Sequence, residues 1–97
     1  MGEDYFTIKN HRSDKFLDSN QDGQVYTHIG NGGDFQKWKF LDLGKGSFPG
    51  SRVYRIMNKA TGRFLSVAKS SNIVQTVDSR TNGWGQDITK WEAVPVR

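Results

Sequence analysis

The residues best suited to binding chemistry lie in the first half of the chain. The candidates are Asp18, Gln24, Tyr26 and the loop that runs from Asn31 to Asp34. A carboxylate can accept hydrogen bonds from neighbouring hydroxyl groups while an aromatic face covers carbon-bound hydrogens, and a sugar presents this division into polar and apolar surface. The alternative is that the aspartate caps a turn and that the tyrosine is an exposed aromatic residue of a strand.

Two other patterns could carry chemistry, and both have simpler explanations. Residues 18–23 spell the first half of a calcium loop, but the closing glutamate would fall at Ile29 and no helix flanks the run, so we interpret it as a turn. His11 and His28 accompany no nucleophile pattern and no paired carboxylates at a meaningful spacing, and the chain has no cysteine. The sequence therefore predicts no catalytic residue, no metal site, no cofactor and no enzyme activity.

A tandem repeat positions these residues. Ile8 to Ile56 and Phe16 to Phe64 both span 48 positions, whereas Trp38 to Trp91 spans 53, so about five extra residues lie in the last loop of the second copy. In the same alignment residues 24–29 match residues 72–77. Self-similarity at this period predicts a repeat architecture. We expect a single domain over 1–97, with repeat one at 5–43, a joint at 44–51 and repeat two at 52–97.

Each copy reads as four short strands. Aromatic and β-branched runs bounded by glycine, asparagine and aspartate predict strands at 5–10, 15–19, 24–29, 35–43, 52–58, 63–68, 72–78 and 90–96. No window has a convincing helical period. The sequence therefore predicts an all-β barrel or sandwich of two four-stranded units.

Composition narrows the class of protein further. The chain has 97 residues, a net charge of +4 and scattered basic residues, which favours solubility over nucleic-acid binding. No apolar run approaches the roughly 18 residues of a membrane span, and residues 1–4 lack the basic and apolar regions of a signal peptide. Because there is also no cysteine, we expect a soluble protein and favour a cytoplasmic location.

A chain this small has few residues with which to build a core. The expected core residues are Phe6, Ile8, Phe16, Leu17, Val25, Ile29, Trp38, Phe40, Ile56, Phe64, Leu65, Ile73, Val77 and Trp91. The two tryptophans are therefore interpreted as core residues and not as sugar platforms. Gln36 is expected to be a buried amide that bonds local backbone, and only secondarily a ligand residue.

The fourth strand of the first copy opens with a Gln-x-Trp motif, at residues 36–38, and Phe-Leu-Asp lies upstream at residues 16–18. A unit of about forty residues with these motifs resembles the repeat of ricin-B-type β-trefoil lectins. The second copy departs from the pattern, with Thr89 in place of the glutamine and Ser66 in place of the aspartate. A trefoil needs three such units, and this chain has two.

The resemblance implies a lectin that recognises a galactose-type or related sugar through its first repeat. In the family the aspartate accepts hydrogen bonds from two adjacent hydroxyls and an aromatic residue packs on the sugar ring, which assigns these roles to Asp18 and Tyr26. The assisting residues would be Gln24, Asn31, Asp34 and Gln36. The family often has asparagine immediately before its glutamine, where this chain has Phe35, so residue 31 or 34 would have to substitute.

The second copy has serine, valine and glutamine, at residues 66, 74 and 75, where the first has its candidate binding residues, and it is predicted to be silent. Its inserted loop carries Trp84 between two glycines, which either contacts a ligand or folds back onto the core. The alternative function is a non-lectin trefoil module that binds a protein partner, an acidic glycan or a lipid headgroup through its basic surface.

Two units leave an open barrel edge and expose one wall of the core. The sequence therefore predicts a homo-oligomer, either of three chains that form two trefoils by exchange or of two chains that close face to face. The competing explanation is a fragment of a longer protein.

Overall fold

The structure is a computed structural model that describes residues 4–67, 73–78 and 88–96. In these ranges the chain is nearly all-β, as the sequence predicts. The strands are β1 (Phe16–Ser19), β2 (Val25–His28), β3 (Trp38–Lys45), β4 (Arg52–Asn58), β5 (Phe64–Val67), β6 (Val74–Val77) and β7 (Trp91–Ala93). A short 3-10 turn, Asp34–Gln36, precedes β3.

The strands β1 and β2 form an antiparallel hairpin in which Asp18 pairs with Tyr26. The turn between them is organised by Asn20. Its side-chain oxygen accepts hydrogen bonds from the backbone N–H groups of Asp22, at 3.0 Å, and of Gln24, at 3.1 Å. Asparagine commonly shapes turns in this way, and the run that resembles half a calcium loop is therefore a turn.

The hairpin turn also contacts the second half of the chain. Gly23 has a φ of 90°, and its carbonyl accepts a hydrogen bond from the Thr76 N–H at 2.8 Å. A Cβ at this glycine would lie 2.9 Å from the carbonyl oxygen of Thr76. Glycine is therefore required both by the backbone conformation and by the close approach of β6.

The remaining strands form one five-stranded sheet with the order β3-β4-β5-β6, in which β7 also pairs with β4. A bulge between Asp42 and Gly44 interrupts the pairing of β3 with β4. The opposite edge of β4 is divided, since residues 52–54 pair with β7 and Met57 pairs with β5. β4 is consequently the central strand of this sheet.

Three of the expected strands differ from the structure. The segment 5–10 makes only isolated bridges, Phe6 with Trp38 and Lys9 with Phe16. The strand expected at 35–43 gives way to the 3-10 turn, and β3 instead runs from Trp38 to Lys45. The strand expected at 90–96 ends at Ala93; Pro95 lacks the N–H group that a longer strand would need.

Tryptophans lie at corresponding places in the two halves of the core. Trp38 is fully buried and donates its indole N–H to the carbonyl of Leu17 at 3.1 Å. Trp91, partly buried against the same cluster, donates to the carbonyl of Leu65 at 3.0 Å. Both indoles therefore fill core space while their polar edge is satisfied, which is the role expected of them.

The expected core is wrong for three of its members. Phe6 is 52% exposed, Ile29 69% and Ile73 65%. The phenylalanine lies on an apolar groove that no other part of the described chain covers. The two isoleucines fall just outside β2 and β6, so strand alternation does not direct them inward.

The side chain of Glu92, in β7, holds the loop between β3 and β4 by hydrogen bonds. Its carboxylate accepts hydrogen bonds from the Ser47 N–H and from the Ser51 hydroxyl, both at 2.6 Å. A Cβ on Gly46 would overlap the carboxylate and the hydroxyl, so this position requires glycine. The hydrogen bond from Ser51 is the largest of the causes that lower the pKa of Glu92.

Within the described residues no helix has the length and apolar character needed to cross a membrane.

We expect the contribution of Glu92 to stability to depend on pH. Because its folded pKa is lowered, the contribution is present above the unfolded pKa and is lost as the pH falls through the folded pKa. Glu92→Gln should lower the urea midpoint at neutral pH, and the gap between variant and parent should close below about pH 4. The control is Gln21→Ala, at an exposed turn position without a titratable group, which should show no such convergence. A gap that stays constant with pH would contradict the assignment.

Candidate functional site

A cleft of about 340 Å³ opens beside the β1–β2 hairpin, between the hairpin and the loop that follows β2. Most of its lining residues are of polar type, and the rings of Tyr26 and Phe35 add apolar surface. The lining residues are Asp18, Ser19, Asn20, Tyr26, His28, Asn31, Gly33 and Phe35. Three of the six residues proposed from the first repeat, those at positions 18, 26 and 31, are thereby brought together.

The Asp18 carboxylate is held in a fixed orientation at the floor of this cleft. Asp18 is only 5% exposed. One oxygen, Oδ1, accepts a hydrogen bond from the Ser19 N–H at 2.8 Å, and Oδ2 accepts one from the Gln36 side-chain amide at 3.0 Å. A carboxylate offers about four acceptor positions. These two hydrogen bonds therefore leave about two acceptor positions unused.

The Gln36 side chain is buried, at 2% exposure, and makes three hydrogen bonds. Its amide nitrogen donates to Asp18 Oδ2 and to the carbonyl of Ile29, both at 3.0 Å. Its amide oxygen accepts from the Asn31 N–H at 3.1 Å. The glutamine thus lies behind the cleft and holds the carboxylate and the loop in place, in agreement with the buried amide expected from the sequence.

Tyr26 lies across the hairpin from Asp18 and is 40% exposed. Its hydroxyl donates to the carbonyl of Ser19 at 3.3 Å, which fixes the ring at the edge of the cleft. Burial and the negative charge of Asp18 raise the pKa of Tyr26, so the phenol stays protonated at neutral pH. The ring offers an apolar face beside a carboxylate.

The loop after β2 contributes the opposite wall of the cleft. The side-chain oxygen of Asn31 accepts a hydrogen bond from the Gly33 N–H at 2.8 Å, which closes a local turn. The amide nitrogen of Asn31 takes no part in this turn and is a candidate donor to a ligand. The loop is thus held from within by Asn31 and from behind by Gln36.

The structure places Asp34 outside the cleft. Its carboxylate lies 3.3 Å from the Lys37 ammonium and 3.6 Å from the Lys59 ammonium on the exposed surface. The hydrogen bond from Lys37 is the largest cause of its lowered pKa, and the charge of Lys59 lowers it further. Its contacts are those of a surface ion pair.

Gln24 lines a neighbouring cleft and not the one that holds Asp18. Its side-chain oxygen accepts a hydrogen bond from the Asn20 amide at 2.8 Å. Tyr26 lines both clefts. The glutamine is therefore near the site but does not line the cleft that contains the carboxylate.

Sequence reasoning did not identify three polar lining residues, Ser19, Asn20 and His28. The histidine had a usable signal, because it lies two residues after Tyr26 on β2 and strand side chains two apart share a face. For Asn20 the sequence carried no signal of a place in the cleft beyond its polar residue type. The hydroxyl of Ser19 is the buried side-chain group that has no hydrogen-bond partner among the described residues.

The second hairpin offers a different chemistry at the same place. In β5 and β6, Ser66 pairs with Gln75 as Asp18 pairs with Tyr26 in the first hairpin. The counterpart of the tyrosine is thus Gln75, one residue later than the sequence alignment indicates, because the second turn is longer. The serine hydroxyl donates to the carbonyl of Gln75 at 3.1 Å. This position has neither carboxylate nor aromatic ring.

Trp84 lies outside the described residues. Within the described part of the chain, no three histidine, aspartate or glutamate residues are grouped so that they could hold a metal ion. The cleft itself presents one carboxylate, one phenol, one imidazole and several amides. These groups are suited to binding a polyhydroxylated ligand by hydrogen bonds and stacking.

Comparison with known proteins identifies the fold. The family model described as ricin-type beta-trefoil lectin domain-like matches residues 1–78. The chain is also similar to the crystal structure of a designed 3-fold symmetric protein, ThreeFoil, with a TM-score of 0.72 and 24% sequence identity. That similarity covers 94% of this chain and 64% of the designed one. A search of curated proteins gave no match.

These matches confirm the fold class predicted from the sequence. The two sheets are those of a partial β-trefoil, and the chain spans about two thirds of the designed structure. Trefoil domains of the matched family are typically non-catalytic binding modules.

We expect Gln36→Ala to destabilise the fold. It would leave the Asp18 carboxylate, the Ile29 carbonyl and the Asn31 N–H without their partner, at a cost of about 1–3 kcal/mol in the free energy of unfolding. Urea denaturation followed by tryptophan fluorescence measures the change.

The matched control is Gln21→Ala, at an exposed turn position, which should change the free energy of unfolding by less than about 0.5 kcal/mol. Equal stability of the two variants would show that the buried amide does not support the fold.

Proposed function

The chain belongs to the family of ricin-type β-trefoil lectin-like domains, and on this basis we propose that it is a non-catalytic module that binds a galactose-type or related neutral sugar. The proposed site is the cleft beside the β1–β2 hairpin. Asp18 and Tyr26 carry recognition, and Asn31 assists from the facing loop. Gln36 acts as a positioning residue behind the carboxylate.

The observation that carries this proposal is the state of the Asp18 carboxylate. Burying a carboxylate is costly unless it is hydrogen-bonded, and the bonds from Ser19 and Gln36 offset that cost. They also leave about two acceptor positions of the carboxylate unused, and Asp18 lines the cleft. Two adjacent hydroxyls of a hexose match this arrangement, since each can donate one hydrogen bond.

Tyr26 supplies the apolar half of the proposed site. The ring is 40% exposed, and its hydroxyl is already bonded to the Ser19 carbonyl. Its face is therefore available to the carbon-bound hydrogens of a sugar ring, while its polar edge is occupied. The fixed hydroxyl reduces the conformational entropy that the side chain would lose when a ligand binds.

The other predicted residues take secondary places in the proposal. Gln24 faces the neighbouring cleft across Tyr26 and would contact only a ligand that extends past that ring. Asp34 is engaged with two lysines and would act only at the outer edge of the loop. Ser66 and Gln75 give the second hairpin no equivalent of the proposed pair.

One small, open site of this kind binds weakly, because it buries only part of a monosaccharide. We therefore include a homo-oligomeric state in the proposal, since several linked sites raise the apparent affinity for a branched or repeated glycan. We expect an oligomer because two repeat units leave the core incompletely covered.

The alternative is a module that binds a protein, an acidic glycan or a lipid headgroup through its basic surface. The net charge of +4 is the observation that favours it. The proposed cleft argues against an anion at that place, because Asp18 would repel it. An electrostatic ligand would therefore have to bind elsewhere and would be sensitive to salt.

A glycan array read at low and at physiological salt separates the two functions. We expect neutral, galactose-containing glycans to bind at both salt concentrations, because hydrogen bonds and stacking are little affected by screening. Hits confined to sulfated or sialylated glycans that disappear at the higher salt would favour the alternative and contradict the proposal.

Asp18→Asn should weaken binding of galactose by a factor of about 5 to 150, as expected for a loss of about 1–3 kcal/mol when a charged acceptor is removed. Isothermal titration or a competition assay gives the ratio. Circular dichroism and urea denaturation show separately whether the variant is folded.

Two variants serve as controls for this measurement. Ser66→Ala alters the counterpart of Asp18 in the second hairpin and should leave galactose affinity unchanged. Tyr26→Phe keeps the ring face and should bind within about twofold of the parent, whereas Tyr26→Ala should bind at least about tenfold more weakly. A folded Asp18→Asn variant with parental affinity would refute the assignment of the site.

A further inference from the structure

An apolar groove of about 610 Å³ lies on the side of the molecule where the N-terminal segment crosses β3 and β4. Three of its rings form a ladder of edge-to-face contacts. The centroid distances are 5.8 Å from Phe6 to Phe40 and 5.8 Å from Phe40 to Tyr54. The remaining lining residues are Thr7, Ile8 and Lys9. Phe6 is 52% exposed, so the ladder ends in solvent.

This groove is an open side of the core and not an isolated surface patch. Ile8, Phe40 and Tyr54 all pack against the buried cluster that contains Trp38 and Ile56. Along this side, therefore, the residues that build the core also form its boundary with water. Contiguous apolar surface of this kind commonly marks an interaction site.

The designed structure is 3-fold symmetric, and the match covers 64% of it, which is close to the share of two symmetric units out of three. Among the described strands β7 pairs only with β4, and the N-terminal segment makes only isolated bridges, from residue 6 to Trp38 and from residue 9 to Phe16. A unit of the same kind would cover such a side in a closed ring.

We propose that the groove is covered by the same groove of a second copy of this chain, in a symmetric dimer. The proposal deepens the homo-oligomeric state included in the proposed function, and it is independent of sugar binding because the groove and the cleft share no residue. In such a dimer the aromatic surface of each chain covers that of the other.

The composition of the groove suits contact with itself. A two-fold interface places a patch against its own copy, so a patch rich in one sign of charge would repel itself. Here Lys9 is the single charged lining residue, and its ammonium lies 3.9 Å from the Asp14 carboxylate. The other lining residues have aromatic, aliphatic or hydroxyl-bearing side chains. Aromatic rings pack readily edge to face against identical rings.

Gel filtration with light scattering on the full chain at micromolar concentration tests the proposal. We expect the parent to have about twice the chain mass of 11.0 kDa. Phe6→Glu places a charge in the groove and should reduce the mass to that of one chain. The matched control is Phe48→Glu: this phenylalanine is 57% exposed but lies in the β3–β4 connection outside the groove, and the variant should keep the parental mass.

Circular dichroism establishes whether Phe6→Glu is folded. A second readout does not depend on that variant, because the chain has no cysteine of its own. Thr7→Cys, in the groove, should react with a maleimide several-fold more slowly than Arg12→Cys, in an exposed turn. In the proposed dimer the groove cysteine is covered, while the turn cysteine is accessible in either state.

A folded parent at 11.0 kDa would overturn the proposal, and this is the result expected if a different protein or a further unit of a longer chain covers the groove. A folded Phe6→Glu variant with the parental mass would also overturn it, as would equal reaction rates of the two cysteines. Galactose affinity per chain is measured on the same samples. Phe6→Glu should retain it, so a failure of assembly is distinguishable from a failure of sugar binding.

Discussion

The structure depends on the three hydrogen bonds of the buried Gln36 side chain. They join the β1 aspartate, the carbonyl that ends the first hairpin and the N–H of the loop that follows. The 3-10 turn at Asp34–Gln36 brings the amide inward immediately before β3 begins. A strand at this position would place alternate residues inward without the tight turn, and the hairpin and its following loop would lose these three hydrogen bonds. The proposed binding cleft exists because this attachment is made.

Polar side chains occupy much of the interior of this small domain. Among the described residues the buried apolar ones are Trp38, Ile56 and Leu65, whereas the buried polar set includes Asn58, whose amide nitrogen donates to the Phe35 carbonyl at 2.9 Å. A core with so little apolar volume gains less from the hydrophobic effect, so each satisfied polar group matters more. Buried hydrogen bonds are directional, and they specify one arrangement of the hairpins where apolar packing alone would permit several.

The proposed binding cleft and the apolar groove belong to different parts of the architecture. The cleft lies on the hairpin and its following loop, where irregular backbone can present polar groups to a ligand. The groove lies on the sheet, where the N-terminal segment, β3 and β4 present the inner face of an incomplete barrel. Because they share no residue, assembly and recognition can be altered separately. Tyr26 lines both the proposed binding cleft and its neighbour.

The sequence by itself predicted the all-β class from its strand and turn patterns, the trefoil character from its resemblance to ricin-B-type repeats, and the burial of Gln36 and Trp38. It also singled out Asp18, Tyr26 and Asn31, which share one cleft. The tertiary structure alone decided which polar residues meet. Asp34 forms ion pairs with two lysines, and Gln24 lines a neighbouring cleft. Gln75, and not Val74, pairs with Ser66 because the second turn is longer. Residue type and spacing give the face of a strand, but register and the path of a loop are set by long-range hydrogen bonds. For the same reason, the exposure of Phe6 depended on what the rest of the chain leaves uncovered.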